Sequence, residues 1–512
     1  MFVTTAVAFA AAATNPHVER FRTKWQPDLQ TTMADAALDA ENIEYPSHCS
    51  LAVVGAGWGG AYLAWRMAVD TNTVNASEVC VFEANGRVGG RIYSIHGLPN
   101  FADLAVDVGG YRFQSRQKLP NDLVFNALKM STACYDWQCA QNCEEDVCYV
   151  NRDSYGNNAG YATNIEEMLG RLEAAGRAVE PSRRQVYFAA RLTKISTAPL
   201  VGKTASRLHF ANGKSVTADR VVLNLPGNAI EGLDPTSTIF THATKNVTNI
   251  LDSVYVGSMN KVYAWYNDAW WSTKLGMMEG YFTGHGGKTH KFDAPLQGRY
   301  HDGPQRCIIG HDTADEPVYS GHKMPYGNCS GAIEVYYTHS AKYYEGYMTS
   351  PLQPLTVAVR AGTNGSDLTR VGVEANGASE DVALLPADKA KKLITDIHEH
   401  LMSHHASDLT KAGVDPSTIE LPETVVLSNW ISDGKYTPGI GRLIPGTDAQ
   451  KALVRKPTPM ELYVVDQDYG YQSGWAVGSL AMAEKILQAE IGLKKPDWLD
   501  ETWYKEWVLA VA

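Results

Sequence analysis

Leu51-Ala52-Val53-Val54-Gly55-Ala56-Gly57-Trp58-Gly59-Gly60, followed by Val79-Cys80-Val81-Phe82-Glu83, is the stretch on which the fold turns. Residues 51–54 form a short apolar run bounded by polar residues, the pattern of a buried strand. Ala61 to Val69 can form a helix with Leu63, Ala64 and Met67 on one face, and 79–83 reads as a second strand ending in an acid. Gly55 permits a tight turn, Gly57 lets backbone approach a pyrophosphate, and Gly60 lets helix and strand pack closely. The helix N-terminus offers unpaired N–H groups and the positive end of its dipole to phosphates. Glu83, 23 residues after Gly60, is placed to accept ribose hydroxyls. A lone glycine triplet would equally suit an ordinary turn; strand, triplet, helix, strand and acid together point to a dinucleotide. They do not separate FAD from NAD.

Working outward, Ala84-Asn85-Gly86-Arg87-Val88-Gly89-Gly90-Arg91 follows at once. Two arginines among glycines can bring cationic forks and bare backbone to a phosphate. At this point the chain resembles the FAD-dependent amine oxidase family, most closely the L-amino acid oxidases. The resemblance covers roughly residues 50 to 115, 185 to 270 and 425 to 490. It implies FAD as cofactor, with Gly55, Ala56, Gly57, Trp58, Gly60, Glu83, Ala84, Arg87, Gly90 and Arg91 around the dinucleotide. Gly109-Gly110-Tyr111-Arg112 resembles the segment beside the flavin ring, and Val186 the strand whose backbone meets adenine. Ala218 to Pro226 resembles the returning strand of the nucleotide domain. Trp430, Asp466, Gln467, Gly474 and Trp475 match the region that closes the flavin site. The family commonly has Gly and an acid where this chain has Asp466-Gln467, so the ribityl contact there would pass to an amide.

The resemblance also assigns chemistry. Lys261, in Met259-Asn260-Lys261-Val262-Tyr263, matches the lysine that holds a water over flavin N5; otherwise it would be a surface lysine on an alternating strand. Arg112 corresponds to the arginine by which L-amino acid oxidases grip the substrate carboxylate as a bidentate fork. Tyr336 corresponds to the tyrosine supporting that carboxylate. A one-residue register slip would turn Tyr337 inward instead. Trp475 matches the aromatic wall beside the reacting amine, and Tyr436 is a further candidate near the flavin. The expected reaction is oxidative deamination of an L-amino acid to a 2-oxo acid, ammonia and hydrogen peroxide, with molecular oxygen as acceptor. An amine or polyamine oxidase of the same family is the nearest alternative, and a non-catalytic, FAD-bound cytotoxic or binding protein the next.

At 512 residues the chain is too long for one ordinary core. The expected fold is α/β: a Rossmann-like FAD-binding domain built from the discontinuous segments 46–113, 183–260 and 423–492. A helical, cysteine-rich insertion (114–182), with a helix near Ile165 to Ala175, and a mixed-sheet substrate domain (261–422) complete it. Residues 1–45 form an N-terminal arm, and 493–512 a tail that packs on the surface. Segment 272–330 reads as long loops. Forty-five basic against 56 acidic residues give a net charge of −11, which argues against a nucleic-acid binder. No apolar run after the N-terminus is long enough to span a membrane. Small-molecule partners are expected, and a homodimer is compatible with the sequence.

Met1 to Asn15 is an apolar run ending in small residues, as in a secretory signal, although the positive n-region is missing; an exposed N-terminal helix is the alternative. Eight cysteines favour an oxidising compartment. Cys134, Cys139, Cys143 and Cys148 suit disulfides better than zinc spacing, Cys307 and Cys329 could pair, and Cys49 and Cys80 either pair or are small buried side chains. Sequons stand at Asn75, Asn246, Asn328 and Asn364. His398, His400, His404 and His405 lie on a helical segment buried through Ala390, Leu393, Ile394, Ile397 and Leu401. They lack metal-site spacing and are expected on its solvated face, with no metal bound.

Overall fold

The structure is a computed structural model that describes Leu29 and residues 43–95, 105–134, 148–151, 158–200, 203–244, 247–277, 280–284, 296–300, 305–308, 328–338, 355–360, 369–370, 387–430, 440–444, 455–470 and 474–509. The signal-like segment, Tyr436, Cys139 and Cys143 of the four-cysteine cluster, and the sequons at Asn246 and Asn364 lie outside the described residues.

The first layer begins with β1 (His48–Val54), α1 (Trp58–Trp65) and β2 (Val79–Phe82), as the glycine spacing requires. It continues with α2 (Thr163–Val179), β3 (Val186–Tyr187), β4 (Leu192–Leu200), β5 (Lys203–Phe210) and β6 (Ser215–Leu223). The second layer contains β7 (Met259–Tyr266), β8 (Leu296–Arg299), β9 (Asn328–Thr338), α3 (Ala387–Lys411) and β10 (Thr424–Trp430). The chain then returns to the first with β11 (Leu462–Val464) and α4 (Ala476–Ala489).

In the first sheet the order is β3-β2-β1-β6-β5-β4, with β11 also paired to β6. Strands β3, β2, β1, β6 and β11 pair in parallel, whereas β6-β5-β4 is an antiparallel extension. A parallel sheet covered on both faces needs near-continuous apolar strands, and residues 51–54, 79–82 and 221–223 are all buried. Glycine is required at two points of the first turn. Gly55 has φ +97°, and a Cβ on Gly60 would stand 2.2 Å from Gly55 O, so only glycine lets α1 lie this close to β1. Cys49 and Cys80 form a disulfide between β1 and β2, which decides between the two readings of that pair.

In the second sheet β8-β9-β7-β10 are neighbours, and the described ladders are antiparallel. Parallel and antiparallel pairing are therefore combined in the first sheet. Side chains of β7 alternate between two buried faces. Val262, Ala264 and Tyr266 pack with Leu393, Ile397 and Leu401 of α3, while Tyr263 and Trp265 pack with Trp430, Val108 and Tyr93 on the opposite face. The ladder places Cys307 opposite Cys329, the pairing raised by the sequence.

Two expectations are corrected. The histidines of α3 do not form a solvated face: His400 and His405 are buried, and tyrosine hydroxyls of the sheet region reach three rings. Tyr266 meets His398 Nδ1 at 3.1 Å, Tyr336 His400 Nδ1 at 2.5 Å and Tyr300 His405 Nε2 at 3.0 Å. A buried imidazole needs a polar partner, and those tyrosines are too distant in sequence for a helical pattern to reveal. No metal-binding group occurs among the described residues. The tail is also more than a surface strap. Leu499, Trp503, Tyr504 and Val508 enter the first core, and Asp500 N–H donates to Asp122 Oδ2 at 2.9 Å. Among the described residues no helix is long and apolar enough to cross a membrane.

Candidate functional site

The cradle is built where β1, β2, β6 and α4 converge. Gly57 caps α1 in extended conformation without a side-chain cap, and Gly57 and Gly89 form an isolated parallel bridge. Gly89 N–H donates to Ala56 O at 2.9 Å. Glu83 is buried; its Oε2 accepts from Ala56 N–H at 2.9 Å and its Oε1 from the backbone and side-chain nitrogens of Asn85, each at 3.0 Å. Burial raises its pKa, against these hydrogen bonds and the nearby charge of Arg87. Trp58 Nε1 is buried with no acceptor among the described residues, so the first residue of α1 retains an unmet donor. Asn224, from the turn after β6, donates through Nδ2 to Gly55 O at 3.1 Å, and Ser479 of α4 donates to its Oδ1 at 3.4 Å.

From the cradle the site extends through residues 107–112. Gly110 N–H donates to Arg91 O at 3.0 Å, Val108 N–H to Tyr93 O at 2.9 Å, and Trp430 Nε1 to Val108 O at 2.9 Å. The Asp107 carboxylate accepts from Ser94 Oγ at 2.5 Å and Tyr161 N–H at 2.9 Å. These bonds pin one segment between the two sheets. Lys261 of β7 is 1% exposed and donates through Nζ to Asp107 O at 3.0 Å and to the Tyr263 hydroxyl at 3.2 Å. Its Nζ lies 3.7 Å from the centroid of Tyr111, over whose ring Arg112 Cζ also sits at 4.6 Å. Burial lowers the Lys261 pKa to about 8, against the nearby charges of Glu334 and Asp107. Lys261 is thus not a surface lysine.

Two stretches of the chain match family models. Residues 53–123 match the NAD(P)-binding Rossmann-like domain, and 119–317 match flavin-containing amine oxidoreductase; together they run from 53 to 317. The central part of the chain, residues 119–317, is thus similar to flavin-containing amine oxidoreductases, and the part before it to a Rossmann-like dinucleotide-binding domain. It is also similar to aplysianin-A of Aplysia kurodai, at 41% identity over 64 residues. That match spans 12% of this chain and 10% of the relative's length.

A flavin dinucleotide suits these residues. A Cβ on Gly90 would meet only Gly57 Cα, at 3.8 Å, so two glycine backbones face each other beside the uncapped start of α1. That surface suits a pyrophosphate. Arg87 donates to Gly90 O at 3.0 Å and lies 4.0 Å over the Tyr93 ring, which fixes the loop after Ala84. The structure thus gathers Gly55, Ala56, Gly57, Trp58, Gly60, Glu83 and Arg87 at one end, and Gly109, Gly110, Tyr111, Arg112, Lys261 and Trp430 at the other. Trp475 is the extended residue before α4 and packs against the first core.

Five residues expected at the cofactor or substrate make other contacts. Arg91 does not present a free phosphate fork: Nη1 donates to Asp468 Oδ1 at 2.6 Å and Nη2 to Asp466 Oδ1. Burial would lower its pKa, but the two carboxylates outweigh it. Gln467 and Asp466 are likewise engaged internally. Gln467 Oε1 accepts from Gly474 N–H, and Asp466 accepts from Asp468 N–H at 2.9 Å. Val186, on the strand whose backbone is expected to meet adenine, donates its N–H to the buried Glu173 at 2.8 Å. Tyr336 does not point to the Lys261 side. A register shift after Val262 pairs Val262 with Tyr336 and Tyr263 with Glu334, so Tyr336 faces α3 and bonds His400. Lys261 is opposite Tyr337 in the ladder, the alternative register considered from the sequence.

Three acids at the site had no assigned role. Burial pushes Asp468 up to about 7, against Arg91. Asp107 anchors the segment 107–112, and Glu334 is fully buried beside Lys261. Glu334 left one signal, a lone acid inside the apolar strand Ala332-Ile333-Glu334-Val335. Asp468 left only its place in an acid-rich turn.

Proposed function

We propose that this protein is an FAD-dependent oxidase of L-amino acids, forming 2-oxo acid, ammonia and hydrogen peroxide from the amino acid, water and oxygen. The observation that carries the reading is the pair of cations on one aromatic ring: Lys261 Nζ and Arg112 Cζ both lie within 5 Å of the Tyr111 centroid. A partly buried guanidinium favours an anionic substrate group and offers a planar fork to a carboxylate. A carboxylate-free amine has no use for it. When bound, flavin supplies the acceptor for the substrate hydride and passes the electrons to oxygen. Arg112 orients the substrate by its carboxylate, so that the α-carbon–hydrogen bond is held in one direction. Lys261 holds a water through its ammonium, and Trp430 and Tyr111 keep the surrounding wall apolar. Trp475 forms a further part of that wall. The Cys49–Cys80 disulfide and the signal-like N-terminus support passage through the secretory pathway.

The test is a peroxide assay on the purified yellow protein across amino acids and carboxylate-free amines, with Arg112→Ala alongside. Amino acids are turned over and Arg112→Ala raises their KM by about 100-fold, the loss of a charge-assisted bidentate contact of roughly 3 kcal/mol, with FAD retained. Turnover of amines alone would favour an amine or polyamine oxidase. No turnover at all would favour a flavin-bound binding protein.

A further inference from the structure

Three polar side chains share the flavin-side face where β7 meets β9: Lys261, Tyr263 and Glu334. Each is at most 1% exposed. A carboxylate buried this completely is costly unless it has a partner. Glu334 Oε1 accepts from the Tyr263 hydroxyl at 3.2 Å and lies 3.7 Å from Lys261 Nζ, while Oε2 has no hydrogen-bond partner among the described residues. The Tyr263 hydroxyl accepts from Lys261 at 3.2 Å, so lysine, phenol and carboxylate form a closed triangle.

The surroundings show what the acid is needed for. Burial and the charges of Arg112 and Arg299 all work against a proton on Lys261, whereas Glu334 and Asp107 favour it, Glu334 the more strongly. Arg299 is the register partner of Glu334 across β8 and β9. Tyr111 offers its ring face to the ammonium. We propose that Glu334, directly and through the Tyr263 hydroxyl, is a positioning residue that keeps the Lys261 ammonium protonated and held against the Asp107 carbonyl and the Tyr111 ring. The inference rests on the reading that Lys261 works beside the flavin.

The experiment uses the full-length, FAD-loaded protein carrying ε-carbon-13 lysine. Lys261→Met identifies the Lys261 signal, whose position is followed against pH by NMR. In Glu334→Gln the midpoint falls by at least about one pH unit, a tenfold loss of proton affinity, because an opposite charge at this range shifts a pKa by roughly 1–3 units. Tyr263→Phe moves it the same way by less, and Glu334→Asp, which keeps the charge, restores most of it. The pH profile for reoxidation of the reduced protein, measured by stopped flow, shifts with the NMR midpoint. An unchanged midpoint in Glu334→Gln that retains FAD overturns the proposal. Should that variant fail to fold, an unchanged midpoint in Tyr263→Phe overturns it instead. Wild-type reoxidation in Lys261→Met refutes the parent reading of Lys261, and the NMR midpoint still decides the role of Glu334.

Discussion

Replacing Gly60 by alanine tests the cradle at its tightest point. The added Cβ would stand 2.2 Å from Gly55 O and 3.0 Å from Val53 Cγ1. Even a 3.0 Å approach to the oxygen requires α1 to retreat by 0.8 Å. The obstacle is backbone on one side and a buried valine on the other, so no flexible side chain can absorb the shift. Overpacking of this kind costs about 1–3 kcal/mol. Because the start of α1 moves with the helix, that cost falls on the phosphate-binding geometry, and FAD affinity drops about 5- to 150-fold at ~1.4 kcal/mol per decade. Gly90→Ala is the companion. Its Cβ meets nothing closer than 3.8 Å, but at φ +59° the substitution strains the loop by about 1 kcal/mol and enters the space in front of Gly57. Gly60→Ala should therefore lower both the unfolding midpoint and FAD affinity, and Gly90→Ala chiefly the affinity. Both are read by fluorescence titration of apoprotein with FAD and by thermal unfolding. Gly60→Ala with wild-type affinity and stability would refute the reasoning.

Removing the Cys49–Cys80 link by Cys80→Ser should cost ~3.7 kcal/mol from loop entropy, given a sequence separation of 31, as measured by urea unfolding against wild type. Tyr336→Phe should leave the amino-acid KM within about twofold, since its hydroxyl serves His400, while stability falls by ~1 kcal/mol; a large rise in KM would restore it to the substrate pocket. The α3 histidines should make the second layer sensitive to acid. Burial lowers His398 and His405 to about 4, so the neutral rings are the folded form. Their contribution is complete above the ordinary value of 6.5 and is lost as pH falls through about 4. Fluorescence of Trp270, 5.1 Å from His405 between ring centroids, should report loosening in that window.

The βαβ unit was legible because its constraints are local: glycines, helix and acid lie within a few tens of residues and each has one steric task. Lys261 was legible through its resemblance to a family motif, and its burial follows from a strand covered on both faces. What the sequence concealed depends on distant partners. The carboxylates that occupy Arg91 lie more than 370 residues further on. The acid that takes Val186 N–H comes from a helix face whose orientation no periodicity fixes. Tyr336 illustrates a different obstacle. One extra residue at Val335 reverses the side-chain alternation, and a bulge in an apolar strand leaves no compositional mark.

The bond between Cys49 and Cys80 has a chemical consequence besides its mechanical one. It converts residues 49–80 into a covalent ring that carries the whole glycine turn and α1. Neither sulfur of that ring is a thiol, so neither can supply the thiolate from which sulfenic acid forms. Under the proposed oxidase reaction, which forms hydrogen peroxide, the two cysteines beside the glycine turn would then be spared oxidation of a free thiol.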